Sequence, residues 1–180
     1  LYQQVLKRGI KIYQEVLVLS LVRHEDRVVG AVVMDIVSGE IGTVQADAIL
    51  MATGGAGKIY AHSTNNLLNT GLGMALAFWA GVPLKDMEFI QFHPTGLWGT
   101  NILMTEGCRG EGGYLVNNQG ERFMARYAPK AMELGPRDIV ARSILTEILE
   151  GRGFNQGGPG GGYVHLDLRH LGEAKINERL

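Results

Sequence analysis

Ile49-Leu50-Met51-Ala52-Thr53-Gly54-Gly55-Ala56-Gly57 is the stretch on which the reading of this chain turns. The segment Asp47 to Met51 is short and mainly apolar, and it passes directly into small residues and glycines. Such a run reads as a buried strand. A strand that ends in glycine lets the backbone approach a ligand closely, as at the carboxyl ends of strands in dinucleotide-binding sheets. A tight turn in any α/β protein has the same pattern, so the junction alone leaves both readings open. Neither G-x-G-x-x-G nor G-x-x-x-x-G-K-[ST] occurs in the chain, so the usual phosphate fingerprints are absent.

Upstream of the junction the hydrophobic period is that of strands. Leu1 to Lys7 reads as the end of a helix broken at Arg8-Gly9, and Ile10 to Tyr13 alternates. Val16 to Val22 and Val28 to Val37 are β-branched runs separated by a turn at His24-Glu25-Asp26. Ser38-Gly39-Glu40 is a second turn before Ile41 to Val44. This succession predicts a β-meander feeding a central sheet. Downstream, Thr70 to Gly81 is predicted as a helix stopped by Gly81-Val82-Pro83, and Met87 to Phe92 as a strand halted by Pro94. A loop-rich stretch with seven glycines, Gly96 to Gly120, comes next. Pro136 to Gly151 is predicted as a helix with an apolar stripe of Ile139, Val140, Ile144, Leu145 and Ile148. Gly157 to Gly162 is a flexible loop, and Tyr163 to Leu168 a short strand.

The bulk composition excludes several classes. Of 180 residues, 46% are apolar and 19% charged, with a net charge of −1, which offers no polycationic surface for nucleic acid. The single cysteine, Cys108, cannot form an internal disulfide or a cysteine-ligated metal cluster from this chain alone. Hence no metal site is expected. The longest mainly apolar run is too short to span a bilayer. With no initiator methionine at Leu1 and a helix-like pattern still running at Leu180, the sequence reads as an interior segment of a longer protein.

Three further segments bear chemistry. In Glu88-Phe89-Ile90-Gln91-Phe92-His93-Pro94-Thr95-Gly96, alternation puts Phe89, Gln91 and His93 on one face, and the strand stops just after the histidine. His93 can be a donor to a carboxylate or a structural histidine. Thr105-Glu106-Gly107-Cys108-Arg109-Gly110 sets a hydroxyl, a carboxylate and a guanidinium within five residues, readable as a site or as a solvated ion pair. In Glu133-Leu134-Gly135-Pro136-Arg137-Asp138, Arg137 lies in the first turn of its helix, where the macrodipole disfavours a cation.

Taken together and in order, these segments resemble the flavoprotein subunit of succinate dehydrogenase and fumarate reductase. The resemblance is carried by Ala52 to Tyr60, Thr70 to Ala75, Ala80 to Gly96, Thr105 to Gly113, Glu121 to Met124, Pro136 to Arg142 and Tyr163 to Gly172. It implies an α/β fold. Residues 1–92 would be the C-terminal part of an FAD-binding domain containing the meander, and 93–180 the start of an α+β capping domain. It implies FAD as cofactor, near Ala52, Thr53, Gly54, Gly55, Gly71 and Gly73. A dicarboxylate, succinate or fumarate, would be held by His93, Thr105 and Glu106. Arg137 is implied to exchange the proton, with Glu106 and Arg109 in its relay. By the same resemblance the partners are an iron–sulfur subunit and membrane-anchor subunits, with the chain peripheral on the cytoplasmic or matrix face and not itself inserted.

The resemblance departs at Leu72, where most members carry an aspartate that contacts FAD; leucine has no oxygen to make that contact. L-aspartate oxidases share the HPT, TE-x-x-RG and PRD motifs and are the alternative enzyme reading. A non-catalytic flavin-binding remnant, with Leu72 as its sign, is the alternative of another kind.

Overall fold

The computed structural model describes every residue of the chain except Gly160 and Leu180. The chain divides into two compact units. One comprises 1–59 with 65–86, the other 60–64 with the residues from Met87 onward.

In the first unit a short helix, α1 (Tyr2–Lys7), ends at Arg8 and Gly9, where Gly9 takes φ +63°. Three strands follow: β1 (Val16–His24), β2 (Arg27–Asp35) and β3 (Ile41–Gln45). They pair antiparallel in the order β1-β2-β3, the predicted meander. His24 pairs with Arg27 across a two-residue turn, and Met34 with Ile41. Buried Gly30 in β2 is required by the sheet: a Cβ there would lie 2.4 Å from the Val44 carbonyl oxygen. Helix α2 (Leu72–Trp79) falls inside the predicted Thr70 to Gly81 and packs on β1. Arg23 of β1 donates to the Ala80 carbonyl at the end of that helix, 3.4 Å away.

Three sequence expectations fail in this fold. Ile10 to Tyr13, Asp47 to Met51 and Met87 to Phe92 are not strands. Leu50 is 93% exposed and Phe89 77%. An apolar run becomes a strand only where neighbouring backbone accepts its ladder hydrogen bonds. Among the described residues none is placed to do so for these runs.

The second unit opens its regular structure with α3 (Glu106–Gly110), then β4 (Tyr114–Val116) and α4 (Met124–Tyr127). A 3-10 turn at Met132–Leu134 leads into α5 (Arg137–Leu149), which falls within the predicted Pro136 to Gly151. Next come β5 (His165–Asp167), antiparallel to β4, and α6 (Glu173–Arg179). The core of the unit is Leu115, Phe123, Met124 and Val140, backed by Tyr127, Ile144, Val164 and Leu166. The region expected to be mainly loop between Gly96 and Gly120 thus carries both α3 and β4.

A buried polar knot ties α5 to the rest of this unit. The Glu147 side chain has no exposed surface. Its carboxylate accepts from Arg152 Nε (2.8 Å) and Nη2 (2.7 Å), Asn117 Nδ2 (2.8 Å) and the Tyr127 hydroxyl (2.6 Å). These donors, Arg152 first, outweigh the cost of burial and hold the Glu147 carboxyl down at about 2, against 4.5 for an ordinary glutamate. A carboxyl depressed on folding stabilises the native state above its unfolded pKa, and that contribution disappears as pH falls toward the folded value. E147Q in the full-length protein is therefore expected to lower unfolding stability at neutral pH by about 3–5 kcal/mol, the usual cost of removing one partner from a buried pair. Urea titrations should show the gap between variant and wild type narrowing as pH drops from 4.5 toward 2.

Candidate active site

A loop closure in the second unit brings the candidate groups together. Gly96 and Leu103 form an isolated antiparallel bridge, the Met104 amide donates to the Thr95 carbonyl (3.0 Å), and the buried Thr95 hydroxyl donates to the Met104 carbonyl (3.0 Å). Residues 95 and 104 are thereby clasped, which sets His93 beside Thr105 and Glu106. The half-buried His93 ring is tied to the same residue: Nδ1 sits 2.9 Å from the Thr95 carbonyl oxygen and 3.4 Å from the Thr95 amide nitrogen. That leaves Nε2 as the ring nitrogen available to a ligand.

Thr105 is the N-cap of α3, its hydroxyl oxygen accepting from the Gly107 amide at 3.2 Å. A capping hydroxyl spends an acceptor lone pair and keeps its O–H donor. Glu106, in the first turn of α3, meets Arg137 at the start of α5. Nε (3.1 Å) and Nη2 (2.8 Å) of Arg137 both donate to Glu106 Oε2, and Nη1 donates to Gln91 Oε1 at 3.2 Å. Three of the five guanidinium donors are thus engaged and two are left. From the other side, Arg109 Nη2 stands 3.9 Å from the same Glu106 oxygen.

The electrostatics follow from this placement. Arg137, through its hydrogen bonds, holds the Glu106 carboxyl below the ordinary glutamate range; Arg109 and His93 add to the effect. Burial pushes Arg109 below an ordinary arginine, because water no longer solvates its charge. Arg109 is 1% exposed, and its Nε and Nη2 have no hydrogen-bond partner among the described residues. A buried guanidinium with free donors beside a carboxylate is costly to stability, and such cost is characteristic of functional sites. The five charged and polar groups singled out in the sequence, His93, Thr105, Glu106, Arg109 and Arg137, therefore lie in one cluster.

Sequence reasoning did not select three contributors to the cluster. Gln91 was seen only as sharing a strand face with His93, Thr95 only as part of the loop, and Glu133 only as a flank of Arg137. The i, i+2 spacing of Gln91 and His93 was the one local signal available.

In the first unit, the exposed Ala52, Thr53 and Gly54 and the half-buried Gly55 run past the start of α2. Gly54 takes φ +74° and Gly71 φ +83°, where a side chain is strained. A Cβ on buried Gly73 would fall 1.8 Å from Thr53 Oγ1. The Thr53 side chain therefore rests directly on the helix start, where only glycine leaves it room. The N-cap of α2 is Gly71, which makes no side-chain cap hydrogen bond, so the first turn presents main-chain N–H groups of the kind that suit a phosphate. This donor-rich, side-chain-poor strip fits a dinucleotide cofactor. Leu72, 39% exposed at the first helical position, brings an apolar surface there in place of an acceptor.

The sequence profile of the FAD binding domain family matches residues 1–180, and the chain belongs to that family. Its cofactor is FAD. Among the relatives it resembles are the succinate dehydrogenase flavoprotein subunit of Coxiella burnetii, 46% identical across all of this chain and 30% of that protein. The fumarate reductase flavoprotein subunit of Escherichia coli is 47% identical across 95% of this chain and 30% of that protein. A solved quinol-fumarate reductase with menaquinol molecules superposes with a TM-score of 0.91 at 46% identity, over 99% of this chain and 33% of that one. The chain thus spans about a third of the length of the proteins it matches. Among the described residues no helix is long and apolar enough to cross a membrane.

Gly73→Ala tests the cofactor strip. The added methyl collides with Thr53 and pushes α2 outward, an overpacking strain of about 1–3 kcal/mol. FAD content per polypeptide in the full-length flavoprotein is expected to fall, and a T53G/G73A double variant to recover part of it. Undiminished flavin absorbance in G73A would show that the close contact does not shape the cofactor site.

Proposed function

We propose that this chain supplies the acid–base centre and part of the FAD cradle of a flavoprotein that interconverts succinate and fumarate. The observation that carries the reading is the placement of two guanidinium groups, Arg137 and Arg109, on one carboxylate, Glu106, with His93 and Thr105 alongside. Such a constellation suits a doubly anionic substrate, which needs cations and hydrogen-bond donors at both ends. The names of the relatives, succinate dehydrogenase and fumarate reductase flavoprotein subunits, support the same substrate pair.

FAD, when bound, supplies or accepts the hydride; the rest falls to the protein. Arg137, with two N–H donors unspent, donates a proton to the carbon next to the hydride acceptor during reduction and takes it back during oxidation. An arginine is a poor acid at neutral pH, since its pKa lies above ~12. Its neighbours offset this. Glu106, hydrogen-bonded to Nε and Nη2, returns a proton to the guanidine as it is consumed. Arg109, made a stronger acid by burial, resupplies Glu106. His93 Nε2 and the Thr105 O–H hold substrate carboxylate oxygens.

In the assembled enzyme, residues 1–92 are assigned to the FAD-binding domain and 93–180 to the start of a cap that closes over the flavin. Electrons are exchanged with an iron–sulfur subunit seated on a membrane anchor, received from it for fumarate reduction and passed to it in succinate oxidation, with the protein peripheral on the cytoplasmic or matrix face. The word "subunit" in the relatives' names supports a multichain assembly.

R137K in the full-length flavoprotein is expected to lose turnover by about a hundredfold or more with little change in KM. Lysine keeps the charge but not the planar fork that meets Glu106 and Gln91 together. Near-normal kcat would remove Arg137 from the chemistry. His93→Ala is expected instead to raise KM for succinate and fumarate, because one substrate donor is gone. Steady-state kinetics with an artificial electron acceptor reads both variants, and an unchanged KM in the second would contradict its binding role.

A further inference from the structure

We propose that Glu133 is the positioning residue of the Arg137–Glu106–Arg109 cluster: its backbone carbonyl fixes Arg109, and its carboxylate fixes that carbonyl. The inference rests on the relay read above and goes one layer behind it.

Among the described residues the Arg109 guanidinium makes a single hydrogen bond. Nη1 donates to the Glu133 carbonyl oxygen at 2.6 Å, while Nε and Nη2 have no hydrogen-bond partner. The guanidinium end of a long, fully buried side chain is therefore set by one acceptor, and its distance from Glu106, 3.9 Å, depends on where that acceptor lies. The acceptor sits in the 3-10 turn Met132–Leu134, which is entered with Met132 at φ +49°. A non-glycine residue rarely adopts that conformation unless its surroundings impose it.

The Glu133 side chain supplies the imposition. Buried at 2% exposure, Glu133 accepts through Oε1 from the Leu115 amide of β4 (3.1 Å) and from Arg122 Nε (2.9 Å), and through Oε2 from Arg122 Nη2 (2.7 Å). Arg122 is itself laid over the Tyr114 ring at 3.9 Å, and Tyr114 stacks on His170 at 3.9 Å and 11°. The turn is thus bolted to β4 by a neutral N–H and by a bidentate cation. Four residues on, through buried Gly135 and Pro136, the same segment delivers Arg137 at the start of α5. One clamp consequently sets both guanidinium groups that share Glu106. A misplacement of 1 Å in such a geometry costs on the order of 10²-fold in rate. Glu133 meets Arg109 through its carbonyl and leads through its turn into Arg137, so its effect passes through those two guanidinium groups.

The test uses the full-length flavoprotein, assayed as fumarate reduction by a reduced dye, with FAD content and malonate-induced flavin spectral change measured in parallel. Glu133→Ala is expected to lower kcat per bound flavin by about 10- to 100-fold, leave KM and the malonate response within about twofold, and raise the solvent deuterium isotope effect on kcat. Glu133→Gln keeps an acceptor for the Leu115 amide and should recover part of the loss. Arg122→Gln, which loosens the clamp from its half-exposed side, should move kcat the same way by less. Should the alanine variant fold poorly, the other two carry the test. A loss confined to folding or FAD content, with kcat per flavin and isotope effect unchanged in all folded variants, would overturn the proposal. If R137K abolishes turnover while every Glu133 and Arg122 variant turns over normally, the positioning role alone fails. If R137K is itself fully active, the relay reading fails first.

Discussion

A carboxylate shared between two guanidinium groups governs the second unit of this chain. Glu106 is bound by Arg137 from α5 and approached by Arg109 from its own short helix. One of those cations is completely withdrawn from water. Removing an arginine from solvent is costly unless its charge and donors are met, and here they are met only in part. The surrounding structure has to hold Arg109 in place against that cost. The 3-10 turn supplies its one acceptor, and the Glu133 carboxylate ties that turn to β4 through the Leu115 amide.

This division explains why two buried acidic clusters coexist in so small a unit. Glu147, with Arg152, Asn117 and Tyr127, is a fully satisfied knot that binds α5 to α4 and to the turn after β4. Glu133 is also satisfied, yet the chain it belongs to ends at a guanidinium whose donors are left open. Satisfied networks stabilise and fix a structure; unsatisfied ones hold reactivity in reserve. The geometry therefore separates a fully satisfied polar cluster, at Glu147 near the end of α5, from one with open donors, reached by Arg137 at its start.

The FAD-binding side obeys a different constraint, that of space. At Gly73 even a methyl group would overlap Thr53, and Gly54 and Gly71 take backbone conformations that side chains resist. What results is a helix start whose N-cap, Gly71, makes no side-chain cap hydrogen bond. Leu72 sits at that start as an apolar group and offers no oxygen there.

Much of this was already written in the order of residues. The β-meander, α2 and α5 follow from alternation, from helical period and from proline and glycine at the right ends, all of which act within a few residues. His93, Thr105, Glu106, Arg109 and Arg137 were conspicuous for local reasons: a histidine at the halt of an apolar run, a hydroxyl, an acid and a base within five residues, an arginine set against a helix dipole. Tertiary structure decided the rest. Asp47 to Met51 and Met87 to Phe92 carry strand-like patterns without becoming strands, because a ladder needs partners that pattern cannot supply. Gln91, Thr95 and Glu133 gained their roles only once the 95–104 clasp and the turn before α5 had closed. Their contributions include backbone carbonyls, which every residue possesses, and side-chain oxygens whose partners are distant along the chain, so nothing local announces them. Side-chain type records what chemistry a position can do; only the folded chain fixes which groups stand close enough to do it together.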